Sequence, residues 1–240
     1  MKVLKLSHYC IAIDLLGFGQ SPKPPHADYS IIAQARRIIE LADSLDLERF
    51  SLLGHSMGAQ IALSIAILTP ERVDYLLTVA AIVSGKITRR MKLSTVPWIN
   101  LGKRSPIFYD LKRFFSRSPL LSNIVFRQWF NKMNKISFES WKLDRDMATQ
   151  REMHISAYKT LQDMCTLDLK PDLVTIKQPV LAIAGMQDGS VQTSESQLIH
   201  KLVHNSRLSM IDECGHYPMY EQRDTYLDAV LSFLRQTETL

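Results

Sequence analysis

The 240-residue sequence has few cysteines and no pattern that would use them. Cys10, Cys165 and Cys214 are scattered, odd in number, and belong to no CxxC or Cys/His metal-binding spacing. A chain of this length buries roughly 70–75% of the surface that its unfolded form exposes, so it needs no disulfide or metal to hold it together. The sequence therefore predicts reduced thiols, no metal, no cofactor and a reducing, cytoplasmic location.

The sequence also lacks a recognisable signal peptide, because charges at Lys2 and Lys5 precede an apolar run that Asp14 interrupts. Its 46% hydrophobic and 22% charged residues exclude a disordered or collagen-like protein. Residues 50–70 contain no charged side chain and are long enough for a membrane span. The polar and glycine residues within them favour a strand, a turn and a buried helix instead.

Acidic residues are nearly absent from residues 86–135, which we call the basic segment. It holds twelve basic side chains against the single acidic Asp110, a net charge of +11 in a chain whose total is +5. The remainder of the chain is therefore acidic, and the basicity is a local property. The basic residues are Lys86, Arg89, Arg90, Lys92, Lys103, Arg104, Lys112, Arg113, Arg117, Arg127, Lys132 and Lys135.

Short apolar runs alternate with helical patterns on both sides of a central segment. The sequence predicts strands at residues 9–13, 50–53, 73–83, 179–184 and 207–211, and helices at 30–45, 57–68, 194–203 and 225–234. This alternation is typical of a mainly parallel α/β sheet with flanking helices. Residues 84–165 show no strand-like alternation, so we predict a first core part (1–83), an inserted helical cap (84–165) and a second core part (166–240).

A Gly-x-Ser-x-Gly sequence, Gly54-His55-Ser56-Met57-Gly58, lies between a predicted strand and a predicted helix. In that context a sharp turn lifts the serine hydroxyl above the sheet, and the helix N-terminus favours negative charge there. Ser56 is therefore a candidate nucleophile, with the Met57 amide as an oxyanion donor. The alternative is an ordinary turn that contains a serine.

A serine hydroxyl needs a base to take its proton and an acid to orient that base. His216 follows the last predicted strand, and Asp188 follows the strand before it. Because the carboxyl ends of parallel strands share one edge of a sheet, we expect Ser56, Asp188 and His216 to converge. Each residue alone has a plain structural interpretation, but their order along the chain is that of this catalytic arrangement.

These features resemble the α/β-hydrolase superfamily, in particular its cap-bearing serine hydrolases of the esterase and lipase kind. The resemblance implies Ser56 as nucleophile, His216 as base, Asp188 as acid, and a cap at residues 84–165. It argues against the branches whose nucleophile is an aspartate. The residues that carry it are Ala12 to Ser21, Gly54 to Gly58, Gly185 to Asp188, and Cys214-Gly215-His216-Tyr217-Pro218 with Glu221.

The sequence departs from the family pattern at its N-terminus. The family has three further strands upstream, and the third lies between the family's counterparts of residues 9–13 and 50–53. The loop after that third strand normally supplies the second oxyanion amide, and no such loop precedes Asp14. We therefore expect either a fragment, an isoform or a misplaced start codon, or else a genuinely shortened enzyme with an unpaired sheet edge.

The sequence is compatible with two functions. The first is a hydrolase that forms an acyl-serine on an apolar ester, thioester or related carbonyl compound, with carbon–carbon bond hydrolysis within the family's range. The second is a catalytically weak or inactive ligand-binding protein on the same fold. The expected partner is a small-molecule substrate, with no nucleic acid. The aromatic residues of the basic segment either pack on the core or meet an anionic membrane.

Overall fold

The computed structural model describes residues 3–94, 96–118, 120–121, 129–132, 136–137, 139 and 141–237. In chain order the elements are α1 (Ile31–Ser44), β1 (Phe50–His55), α2 (Met57–Leu68), β2 (Val73–Val79), α3 (Arg89–Ser94), α4 (Val96–Arg104), α5 (Ile107–Ser116), α6 (Lys142–Met147), α7 (His154–Met164), α8 (Lys170–Leu173), β3 (Val180–Gly185), α9 (Thr193–Leu202), β4 (Ser206–Ile211), α10 (Pro218–Glu221) and α11 (Arg223–Thr237). Short 3₁₀ helices lie at Leu4–Leu6, Pro70–Arg72 and Arg151–Met153.

The four described strands form one parallel sheet in the order β1-β2-β3-β4. Strands β2 and β3 lie in the middle and are almost wholly buried, whereas β1 is alternately exposed. This confirms the predicted parallel α/β fold. The carboxyl ends of β1, β3 and β4 therefore meet at one edge of the sheet, where the predicted catalytic residues follow them.

The helices around the nucleophile follow from local sequence. Ser30 caps α1 by accepting a hydrogen bond from the Ala33 amide at 3.2 Å. Helix α2 is buried along most of its length, since its residues from Ala59 to Ala66 all lie in the core. The uncharged stretch 50–70 is thus a strand, a turn and a helix, as predicted. Within the described residues, the structure contains no helix long and apolar enough to cross a membrane.

The strand predicted at residues 9–13 is wrong. These residues form no regular structure, and Tyr9, Ile11 and Ile13 are 90%, 40% and 41% exposed. A cavity of about 600 Å³, lined by residues 8–13 on one side and by β1 and α1 on the other, separates the run from β1. A strand requires a hydrogen-bonded neighbour, and this apolar run has none within the described residues.

The predicted strand 73–83 ends earlier, at Val79, although its last residues are buried. Ala80 has a φ of 50°, which turns the chain out of the strand. The amides of Val83 and Ser84 donate to the buried carboxylate of Glu195, both at 2.8 Å. A side chain on α9 thus satisfies backbone groups that a sheet would otherwise pair.

Residues 84–165 contain only helices among their described residues, apart from a two-residue bridge between Ile87 and Val191. The domain boundaries at 84 and 165 stay predictions. The aromatic side chains of the basic segment were expected either to pack on the core or to meet a membrane, and they do not all behave alike. Tyr109 and Phe130 are buried, whereas Phe114 is 64% exposed. Phe126, Arg127 and Lys135 lie outside the described residues.

Candidate active site

Ser56 occupies a strained turn between β1 and α2. Its φ of 54° and ψ of −115° lie in a region that L-residues rarely adopt. The Ser56 amide donates to the Val79 carbonyl at 2.8 Å, which ties the turn to the end of β2. Its own carbonyl accepts the amides of Ala59 and Gln60, which start the helix. These bonds keep the side chain of Ser56 at the strand end despite the strain.

The two glycines of the motif have different roles. A Cβ on Gly54 would lie 2.3 Å from the Gly58 carbonyl oxygen, so only glycine allows β1 and α2 to approach this closely. A Cβ on Gly58 would meet no atom within 4 Å. Of the two glycines, only Gly54 is therefore required by a close approach of the backbone.

Asp188 and His216 form a buried pair. The His216 ring is 6% exposed, the Asp188 side chain is 1% exposed, and His216 Nδ1 lies 2.7 Å from Asp188 Oδ2. The other oxygen of Asp188 accepts the amides of Ser190 and Val191 at 2.7 and 3.0 Å. An Nδ1–H that donates to a carboxylate leaves Nε2 with its lone pair, the form that a general base requires.

His55, the last residue of β1, connects the serine turn to the histidine loop. Its Nε2 lies 2.7 Å from the His216 carbonyl oxygen, and the two rings are 4.6 Å apart. Burial, with a smaller contribution from His216, lowers the pKa of His55 from the ordinary 6.5 to about 3. His55 is therefore neutral near pH 7, and the contact identifies Nε2–H as a donor to that carbonyl.

The structure brings Ser56 next to this assembly through His55, its neighbour in the chain. No hydrogen bond joins the Ser56 hydroxyl to His216 in the described structure, where both residues are seen. Such bonds are often long in the absence of substrate and tighten on binding. Met57 is the first residue of α2, so its amide has no intrahelical acceptor and is available to an oxyanion.

Glu221 fastens the histidine loop to the helical segment. Its carboxylate accepts the amides of Gly215 and Asn131, both at 2.7 Å, and that of Lys132 at 3.2 Å. The His216 amide donates to the Trp129 carbonyl at 2.8 Å. Burial raises the pKa of the Glu221 carboxyl, partly offset by these amides. His216 and the loop around it are thus held by residues both inside and outside the segment 84–165.

An aromatic cluster stands beside the pair. The Tyr217 ring lies 5.3 Å from the His216 ring and stacks on Phe130 at 5.2 Å. Trp129 lies 5.8 Å from Tyr217, and Trp141 lies 5.3 Å from Phe130. The wall next to His216 is therefore apolar.

Two cavities lie away from this assembly. One, of about 520 Å³, is bounded by residues 27–30 and 159–166, and the other is the 600 Å³ cavity beside β1. Neither is lined by Ser56, Asp188 or His216. Cys214 is fully buried and desolvation raises its pKa, in agreement with its predicted role as a small core residue.

The sequence did not reveal Glu195 or the carbonyl of Trp129 as parts of this framework. Both act through contacts between residues far apart in the chain, and neither lies in a recognisable spacing. His55 lies inside the motif that contains Ser56, and Glu221 lies five residues after His216. This closeness in sequence was the only signal that they belong to the site.

Comparison with known proteins agrees with this geometry. A sequence model described as "alpha/beta hydrolase fold" matches residues 3–222. The chain is 26% identical to the uncharacterized hydrolase YugF of Bacillus subtilis, over 97% of this chain and 82% of that protein. It is 22% identical to 2-hydroxymuconate semialdehyde hydrolase of Pseudomonas putida, over 96% of this chain and 78% of that protein.

Among solved structures, an esterase from Exiguobacterium antarcticum superposes with a TM-score of 0.73 at 20% identity. The superposition covers 92% of this chain and 79% of the esterase. The family match spans most of the chain and includes Ser56, Asp188 and His216. The chain therefore belongs to the alpha/beta hydrolase fold family.

Proposed function

We propose that this hydrolase uses Ser56 as a nucleophile and passes through an acyl-serine intermediate. The observation that carries the proposal is the buried 2.7 Å contact between His216 and Asp188, held within one residue of the serine turn by His55. A buried carboxylate that fixes the histidine tautomer is the arrangement that activates a serine.

In the proposed reaction, His216 Nε2 takes the proton from the Ser56 hydroxyl while Oγ forms a bond to the substrate carbonyl carbon. The carbonyl oxygen becomes an oxyanion, which the Met57 amide stabilises. The intermediate collapses, the bond to the leaving group breaks, and the His216 imidazolium protonates that group. Water then repeats the sequence on the acyl-serine and releases the acid and Ser56.

The substrate class follows from the surroundings of His216. The rings of Trp129, Phe130 and Tyr217 give the site an apolar wall, which favours an ester or thioester with an apolar acyl or alcohol part. Residues 84–165 supply two of these rings and three backbone groups that bond to His216 or Glu221, which supports their role as a cap over the site. The relatives named above include an esterase and a semialdehyde hydrolase, so similarity to them does not select one substrate class for this chain.

Labelling with a fluorophosphonate probe tests the nucleophile. The native chain should be labelled, and Ser56→Ala should lose labelling completely while keeping its thermal transition, because the change only removes a small hydroxyl. Ser194→Ala, an exposed serine on α9, serves as the matched control and should label normally.

Two results would contradict the proposal. Labelling that persists in Ser56→Ala would assign the nucleophile elsewhere. A folded native chain that takes up no probe would favour the alternative of a binding protein without turnover, and ligand-induced stabilisation would then be the property to measure.

A further inference from the structure

Helix α5 presents an apolar stripe to solvent. Ile107, Leu111 and Phe114 are 61%, 41% and 64% exposed. Their spacing of four and then three residues places them on one face of the helix, one above the other. Exposed large apolar residues are ordinary when scattered singly, but a continuous row on one helix face indicates a contact surface.

The opposite face of α5 makes the contacts with the rest of the protein. Tyr109 is 6% exposed, and its ring packs so closely on Gly102 that a Cβ there would lie 2.2 Å away. Lys112 also turns inward, with its ammonium 5.8 Å from the centre of the Trp129 ring. The helix already has a core-facing side, so the outward stripe is not needed for packing within the described structure.

Exposed basic side chains are frequent in the segment that contains the stripe. Eight basic side chains of the basic segment are exposed. The single acidic residue of the segment, Asp110, forms a 3.0 Å ion pair with Arg151. Its charge is therefore offset, and the surface keeps its positive character. The exposed basic residues are Lys86, Arg89, Arg90, Lys92, Lys103, Arg104, Arg113 and Arg117.

We propose that helix α5 docks the protein on an anionic lipid surface, with Ile107, Leu111 and Phe114 entering the interface and the neighbouring arginines and lysines on the head groups. A short amphipathic helix with a basic surround lies in the plane of a membrane for these two reasons together. A nucleic acid would use the charges but would leave the apolar stripe in water, so the stripe favours lipid.

The test is co-sedimentation of the full chain with vesicles, which needs no catalytic activity. Binding should be strong to equal parts phosphatidylcholine and phosphatidylglycerol, weak to phosphatidylcholine alone, and reduced by added salt. The double variant L111S/F114S should bind at least about tenfold more weakly, because it removes two apolar side chains that the lipid interface would bury. The double variant R104Q/R117Q should lose about fivefold for each charge.

Leu143→Ser is the matched control. Leu143 is 73% exposed on α6, between Lys142, which pairs with Glu139, and Asp144, and lies outside the basic segment, so its loss should leave vesicle binding unchanged. All these positions are on the surface, and thermal melting should confirm that each variant folds. The proposal fails if L111S/F114S binds anionic vesicles as the native chain does, or if neutral vesicles bind equally well. It also fails if single-stranded RNA binds while anionic vesicles do not.

Discussion

The two outer strands of the described sheet, β4 and β1, differ sharply in how their surroundings are bonded. At its carboxyl end, β4 is closely connected to the end of β3: the Met186 amide donates to the Ile211 carbonyl, the Gln187 amide donates to the Cys214 carbonyl, and a Cβ on Gly185 would lie 2.0 Å from the Gly215 oxygen. Beyond β1 lies the 600 Å³ cavity, with Leu53 45% exposed on the strand.

The residues of the candidate site are divided between these two surroundings. Asp188 and His216 belong to the closely bonded side, where few alternative positions are open to them. Ser56 follows β1, on the open side, and its position depends on Val79 and on the turn itself. His55 joins the two sides. We therefore expect that the acid and base are rigidly positioned and that the flank of the nucleophile is the weaker part of the structure.

The largest expected effect concerns the closely bonded side. Asp188→Asn should reduce the acylation rate by on the order of 10⁴ while the fold is retained, because an amide no longer fixes the histidine tautomer. The measurement is the pre-steady-state burst on a p-nitrophenyl ester. Asp212→Asn changes an exposed carboxylate on the same loop system and should have little effect. A loss below about tenfold in Asp188→Asn would mean that another group orients His216.

The same contrast explains what the sequence could predict. For α1, α2, β3 and β4, whose packing partners are other predicted elements, periodicity and turn residues predicted both ends of the element to within a few residues. The order of Ser56, Asp188 and His216 likewise predicted which side chains meet, because parallel strands bring their ends to one edge. The pairing of Asp188 with His216 is confirmed by their contact, and their catalytic roles stay predictions.

The failures have physical causes that no local pattern reports. Residues 9–13 have the composition of a strand, but no strand in the described part of the chain pairs with them, and composition does not report whether a pairing partner is present. Residues 80–83 are apolar and buried, yet the chain turns out of the strand at Ala80, and Glu195, more than a hundred positions away, accepts the amides of Val83 and Ser84. In both cases a long-range contact, present or absent, overrode the local preference.

The next effect concerns the connection between the two sides. In the folded protein the pKa of His55 is about 3, against an ordinary 6.5. Below about pH 6.5 the unfolded chain binds a proton that the folded chain refuses, so stability is complete above that pH and declines as the pH falls towards 3. The maximum loss is on the order of 5 kcal/mol. Urea unfolding at a series of pH values measures it.

His55→Gln provides the comparison, because an amide can still donate to the His216 carbonyl but does not titrate. This variant should be less stable than the native chain near neutral pH, and the difference should shrink as the pH falls. His200→Gln removes an exposed histidine on α9 and should follow the native profile. A constant difference between His55→Gln and the native chain at all pH values would show that His55 is not the group responsible.

The smallest expected effect concerns the open side. An exposed strand edge with apolar side chains invites pairing with another chain, and a lysine on the edge opposes it. Leu53→Lys should therefore lower concentration-dependent association several-fold, measured by light scattering, and should leave the melting temperature nearly unchanged because Leu53 is already 45% exposed. Leu68→Lys is the matched control, since Leu68 is 40% exposed at the end of α2 and away from the sheet edge. If both lysines reduce association equally, net charge is the cause. If neither does, the edge beside β1 is not where copies of the chain meet, and the cavity beside β1 is better sealed in solution than the exposure of Leu53 indicates.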